Sequence, residues 1–133
     1  MLFRSKDALL GGLLARAEEL TDADIAAGHA DPDGLAAYYL RTSFDDPAAD
    51  SSVFRVVVAL YKLASTEPRA AAAARTVLER WRAELTAALG DPLTADLVAC
   101  VGDGIYLRAI VGDASEALDG RRDELLARLL GSP

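Results

Sequence analysis

Few residues in this chain have the types and spacing to do covalent or metal chemistry. His29 is the single histidine and sits between Gly28 and Ala30, where a solvent-exposed loop residue is the plain reading. Cys100 is the single cysteine, flanked by Leu97, Val98 and Val101, so a buried structural thiol is expected and no disulfide can form within the chain. Glu18-Glu19 and Asp45-Asp46 are adjacent pairs. Neighbours in sequence point to different faces of a helix, unlike the spaced ligands of a metal site. The Gly102-Asp103-Gly104 run lacks the preceding strand that a nucleotide-binding loop requires. No catalytic residue, metal ligand or cofactor is assigned, and the chain reads as a non-enzyme.

The scarce aromatics are the alternative source of function. Tyr38, Tyr39, Phe54, Tyr61, Trp81 and Tyr106 all fall in periodic apolar segments. Two readings are open. They fill a core otherwise made of Ala and Leu, or they line an apolar cavity whose hydroxyl groups orient a ligand. Arg55, Arg80, Glu84 and Asp103 lie close to the same stripes and could supply a charged anchor, or lie exposed.

The elements that must position these residues are helices. From about Ser5, read as a cap, to Thr21, apolar residues recur at Leu9, Leu10, Leu13, Leu14, Ala17 and Leu20. Asp31-Pro32-Asp33-Gly34 breaks the pattern, and Leu35 to about Phe44 reads as a short second helix. The third runs roughly from Val53 to Ser65. Its VVVALY could be a strand by propensity, but Phe54, Val57, Val58 and Tyr61 keep helical spacing, and a lone strand would have no partner.

Thr66-Glu67-Pro68 starts the longest helix, to about Leu89, with Pro68 where its missing N–H costs nothing. Gly90 closes it, and Asp91-Pro92 opens a fifth helix to about Val111. A sixth spans roughly Ser115 to Leu130, with Gly120 as a weak point. The expected architecture is an all-α, six-helix antiparallel bundle over 1–133, as a single domain.

Composition narrows the partners. The 133 residues carry a net charge of −7 and only 14 Lys and Arg. The stretch 21–50 has seven Asp against Arg41 alone, a solvated edge. No segment gathers the cations that displace counterions from phosphates, so direct nucleic-acid contact by this chain is not expected. No run reaches the ~18 apolar residues of a membrane span. Arg16, Glu18 and Glu19 interrupt any leader-like start. A cytoplasmic protein is expected.

The fifth helix carries a face of small residues, Ala95, Ala99, Gly102, Tyr106 and Ala109, which invites close approach of another helix. The Leu-rich final helix has apolar surface to spare. Packing within one chain, or a symmetric interface between two copies, would each use such faces.

Two stretches resemble the TetR family of bacterial regulators. Phe3 to Leu10, FRSKDALL, is similar to the family's aromatic-x-Ser-Lys-acidic-x-Leu-Leu signature, which follows the helix-turn-helix head. Asp91 to Gly112, DPLTADLVACVGDGIYLRAIVG, is similar to a helix of many members' C-terminal domains, with Asp103, Gly104, Ile105, Tyr106 and Leu107 as the shared run. Twelve Arg against two Lys fits a GC-rich bacterial gene.

The resemblance implies a TetR-type C-terminal domain. Its first four helices would enclose a small, mostly apolar or amphipathic ligand, and its last two would form a homodimer. In a complete protein the ligand would release DNA. On this reading Leu13, Tyr38, Phe54, Val57, Tyr61, Trp81 and Tyr106 contact ligand. Ala99, Gly102, Ala109, Leu125 and Leu129 form the dimer. Only Met1 and Leu2 precede Phe3, so the DNA-binding head is expected to be missing. The competing expectation is a headless interaction module that pairs with a full-length regulator or another protein without a ligand.

Overall fold

Ala17, Thr21 and Ile25 are buried at intervals of four, and this seam runs through the first helix, α1 (Leu2–Ala30). The computed structural model describes residues 2–44, 53–113 and 116–131, and the side chains among them other than those of residues 2–4, 53 and 54. The helix continues nine residues past Thr21. The Ala-rich segment after it keeps the seam alive at Ile25, and Ala favours helix at the remaining positions. Ser5 is therefore inside α1 and not its cap, and His29 lies in its last turn, not in a loop.

A compact turn follows. The Asp33 N–H donates to Asp31 Oδ1 at 2.9 Å, and Gly34 sits at φ +95°, a conformation that a side chain would strain. Then comes α2 (Leu35–Thr42), which buries Leu35, Ala36, Ala37 and Leu40. A Cβ on Gly28 would lie 3.0 Å from the Tyr38 ring, so the glycine is what lets α2 lie close over the end of α1.

The next helix, α3 (Val53–Leu63), confirms helix over strand for the VVVALY run. In α4 (Pro68–Leu89), Ala70, Ala74, Val77, Trp81 and Leu85 are buried along one stripe, and Gly90 ends the helix at φ +75° with its N–H on the Thr86 carbonyl at 2.8 Å. Asp91 caps α5 (Pro92–Ile110). Its carboxylate accepts from the Thr94 N–H at 3.1 Å and from the Thr94 hydroxyl at 2.6 Å. Gly120 does break the last segment, giving α6 (Glu116–Asp119) and α7 (Arg122–Leu130) where one helix was expected. Among the described residues there is no strand, and the fold is all-α.

The helix α4 is the hub, packing on α5, α3 and α1, while α2 packs on α5, α1 and α4. Two apolar clusters result. The larger joins Ile25, Leu35, Leu40, Val77, Trp81, Leu85 and Val98. The smaller joins Ala17, Leu60, Ala70 and Ala74, with Leu13 and Tyr61 packed on it. Exposed polar contacts tie the helices across their outer edges: the ion pairs of Arg80 with Asp22 and of Arg82 with Asp96 at 2.6 Å, and the hydrogen bond of His29 with Glu84 at 2.7 Å. Arg80 and Glu84, weighed above as ligand anchors, are thus engaged on the surface.

Candidate functional site

Between the two clusters the helices do not close completely. Asp24 from α1 lines the gap, as do Tyr39 and Thr42 from α2 with Ser43 just beyond it. Val57, Val58 and Tyr61 come from α3, Val77, Leu78 and Trp81 from α4, and Asp103, Tyr106 and Leu107 from α5. Five helices therefore converge on one mostly apolar cavity. About 50 Å³ of it is open to the centres of water-sized molecules. That is several times what one water needs, and too tight for a large ligand unless the helices part.

The phase of each helix decides which side chains reach the cavity. Val57, Tyr61, Trp81 and Tyr106 are all brought there, as the spacing of the aromatics suggested. Tyr38 and Leu13 are not. Tyr38 turns its hydroxyl to Asp24 Oδ1 from outside the lining, and its neighbour Tyr39 occupies the cavity wall. Leu13 packs on the smaller cluster and borders a separate surface groove with Lys6, Leu10 and Leu63. The side chain of Phe54 lies outside the described residues.

The polar centre of the cavity is Tyr39 with Asp103. The Tyr39 hydroxyl donates to Asp103 Oδ1, and the Tyr39 ring meets Trp81 edge-on, with centroids 4.8 Å apart and planes at 64°. Burial, then the negative charge of Asp103, holds the Tyr39 hydroxyl proton well above the usual phenol range. Burial and Asp103 likewise push Tyr61 up to about 12. Desolvation raises the Asp103 carboxyl pKa, and the Tyr39 hydrogen bond opposes that rise. The site thus sets the phenols of Tyr39 and Tyr61 beside the Asp103 carboxyl group in low-dielectric surroundings. Among the described residues no group of three or more His, Cys, Asp or Glu could hold a metal.

Gly102, expected at a dimer interface, is buried within the protomer between α5 and α2. A Cβ there would lie 2.7 Å from both Ser43 Oγ and the Tyr39 ring, so its small size serves α2–α5 contact inside the protomer. Gly102 is buried, Ala99 packs on the larger cluster, and Ala109 is half-buried. The opposite face of α5 is the open one: Leu93, Leu97 and Cys100 are exposed, as is Val111 just beyond the helix, while Leu107 is half-exposed and also borders the cavity. Cys100 is therefore on the surface and not a buried thiol. Leu125 is half-buried beside a groove shared with Phe44 and Arg122, and Leu129 packs against the larger cluster.

Asp24, Thr42, Ser43, Val58, Val77, Leu78 and Leu107 line the cavity without having been assigned to it from the sequence, and of the two adjacent tyrosines it was Tyr38, not Tyr39, that was expected to contact ligand. Asp24 lies in the part of α1 beyond Thr21. Tyr39 was one of two adjacent tyrosines on an eight-residue helix, too short for periodicity to fix its phase.

Set against known families, residues 33–131 match the family described as tetracyclin repressor-like, C-terminal domain. That span includes all of α2, α3, α4 and α5, and the similarity noted over Asp91–Gly112 lies within it. No curated protein and no solved structure gave a match.

Proposed function

Because the chain belongs to the tetracyclin repressor-like C-terminal domain family, whose members are regulator domains that bind ligands and dimerise, we propose that this protein is the effector-sensing and dimerising part of a transcriptional regulator. Its ligand is a small, mostly apolar molecule held in the cavity between α1 and α5, among Val57, Tyr61, Trp81 and Tyr106. The observation that carries the reading is the convergence of five helices on one apolar cavity with a polar pair at its centre. Filling so tight a space parts α1 from α3 and α4. In a protein that also carries a DNA-reading head, α1 is the element through which that movement changes head spacing, so ligand and operator compete through one conformational equilibrium.

The partner for dimerisation is a second copy, which meets the outward face of α5. Leu93, Leu97, Cys100, Gly104, Leu107 and Val111 recur at i, i+4, i+7, i+11, i+14 and i+18, one continuous stripe. The first, second, fifth and sixth are 67%, 48%, 46% and 82% exposed in the protomer. An isologous contact along this stripe, flanked by Leu125 on α7, covers it.

Trp81 makes the test direct, since it is the only tryptophan and lines the cavity. A panel of small apolar and amphipathic compounds is screened by thermal melting and by Trp81 emission. A binder at about 100 times its Kd adds about 2.7 kcal/mol of stability and shifts the emission. If no compound moves both signals, the domain is an interaction module with a filled core and the sensing reading fails.

A further inference from the structure

We propose that the cavity takes a cation: an amine or quaternary ammonium group, carried on an apolar body, with its charge at Asp103 and its body among Tyr61, Trp81 and Tyr106. This rests on the cavity being the ligand site, and it commits that site to one charge class.

Charge is unevenly distributed around the cavity. Among the described residues lining the cavity, the charged side chains are Asp24 and Asp103, and none is Lys, Arg or His. Three other aspartates each have a cation: Asp22 meets Arg80, Asp31 meets Arg41 and Asp96 meets Arg82. Asp103 instead receives the neutral hydroxyl of Tyr39, and no ion pair among the described residues includes it. A carboxylate removed from water is costly unless a charge or several donors compensate it. One phenol fills one of its roughly four acceptor sites. An asparagine would accept that same hydroxyl without the desolvation cost of a charge. What the carboxylate adds is attraction for a positive ligand.

The cavity wall is rich in aromatic rings. Tyr39, Tyr61, Trp81 and Tyr106 bring four of the chain's eight aromatic rings to this one cavity. Ring faces attract cations, and the attraction strengthens where water is excluded. An anion would meet two carboxylates and no positive side chain among the described lining. A neutral ligand would leave Asp103 uncompensated. A bare metal ion would need more oxygen or nitrogen ligands than these residues gather, since no group of three forms among the described residues. The chain's net charge of −7 further favours entry of a positive ligand.

Three probes of nearly equal size and different charge decide the matter: 2-phenylethylammonium, 2-phenylethanol and 3-phenylpropanoate. Each is titrated into the protein with calorimetry and Trp81 emission as readouts. The ammonium is expected to bind about tenfold or more tightly than the alcohol, and the carboxylate weakest of the three. In Asp103→Asn, which keeps an acceptor for the Tyr39 hydroxyl, the ammonium should lose its advantage over the alcohol, the two being compared within the same variant. Asp22→Asn removes an equal charge from the surface and should leave the preference intact; circular dichroism verifies that both variants are folded. Equal binding of ammonium and alcohol, or a preference that survives Asp103→Asn, overturns the cation assignment and leaves the cavity as a ligand site. A protein that responds neither to the ammonium nor to any compound of the wider panel loses both readings.

Discussion

The Tyr39 hydroxyl donates to Asp103 across the contact between α2 and α5, and it does so beneath the edge of Trp81. The pair is placed by Gly102, whose missing side chain lets the Tyr39 ring lie against α5. One residue of close packing thus holds the polar centre of the cavity in position.

Asp103 gives the domain a stability that depends on pH in an unusual direction. Burial raises its carboxyl pKa, with the Tyr39 bond opposing, so the folded state holds this proton more tightly than the unfolded chain, which titrates near about 3.9. Between that value and the raised folded value, the folded state binds more protons and gains stability as pH falls. Asp91 runs the other way, because its bonds from Thr94 lower its pKa and are lost as pH falls. The comparison must therefore isolate Asp103 among the groups around it: Asp24, Tyr39, Tyr61 and Tyr106. Urea unfolding of Asp103→Asn against the parent is expected to show the variant gaining most near neutral pH. That gain should shrink as pH is lowered toward about 4. A difference independent of pH would mean that Asp103 is not desolvated.

The tyrosines act at the alkaline end. Tyr39 is held well above the phenol range, and Tyr61 titrates at about 12. Unfolded tyrosines lose their protons near about 10. Above that value the folded state binds more protons than the unfolded chain, so stability falls as pH rises toward the folded values. Tyr61→Phe should flatten part of this fall, with tyrosinate absorbance on unfolding as the check. An unchanged slope would place Tyr61 in water.

Two glycines in helix interiors should respond oppositely to alanine. At Gly12 a Cβ meets nothing within 4 Å, so Gly12→Ala should raise stability by about 0.5–1 kcal/mol through lower backbone entropy in the unfolded chain. At Gly102 the same propensity gain is available, but the new methyl strikes Ser43 Oγ and the Tyr39 ring at 2.7 Å. Overpacking of this kind costs about 1–3 kcal/mol. Gly102→Ala is therefore expected to lower the melting temperature and to quench or shift Trp81 emission as Tyr39 moves. A neutral Gly102→Ala would show that α2 yields easily.

The helices were legible because their punctuation is chemical. Pro68, Gly90, Asp91-Pro92 and Gly120 mark ends or breaks that the structure keeps. The stretch past Thr21 was not, since the aspartate-rich segment reads as a solvated edge, while the packing of Ile25 in the larger cluster and of Gly28 under α2 joins Ala propensity in keeping it helical. At the site, α3 and α4 are long enough for Val57, Tyr61 and Trp81 to be assigned a face from spacing alone. On α5 the pattern was ambiguous, because both faces are apolar. Small residues at Ala95, Val98 and Gly102 and large ones at Leu93, Leu97 and Leu107 are each consistent with burial. Packing put the small face inward, where helix axes approach, and left the leucines outside.

That outward stripe yields the sharpest prediction about assembly. Leu93→Glu with Leu97→Glu places two charges where side chains are about half exposed or more in the protomer and border no part of the cavity, so the fold should lose little, within about 0.5 kcal/mol. In an isologous interface the same charges meet their own copies near the two-fold and separate the protomers. Sedimentation is expected to show a dimer for the parent and a monomer for the double variant. Cys100 supplies an independent readout, since it is exposed on the same stripe between Leu97 and Leu107. Its thiol should react slowly with a disulfide reagent in the concentrated parent, and fast in the variant or on dilution. A double variant that remains dimeric, with Cys100 reacting alike at every concentration, would move the interface off α5.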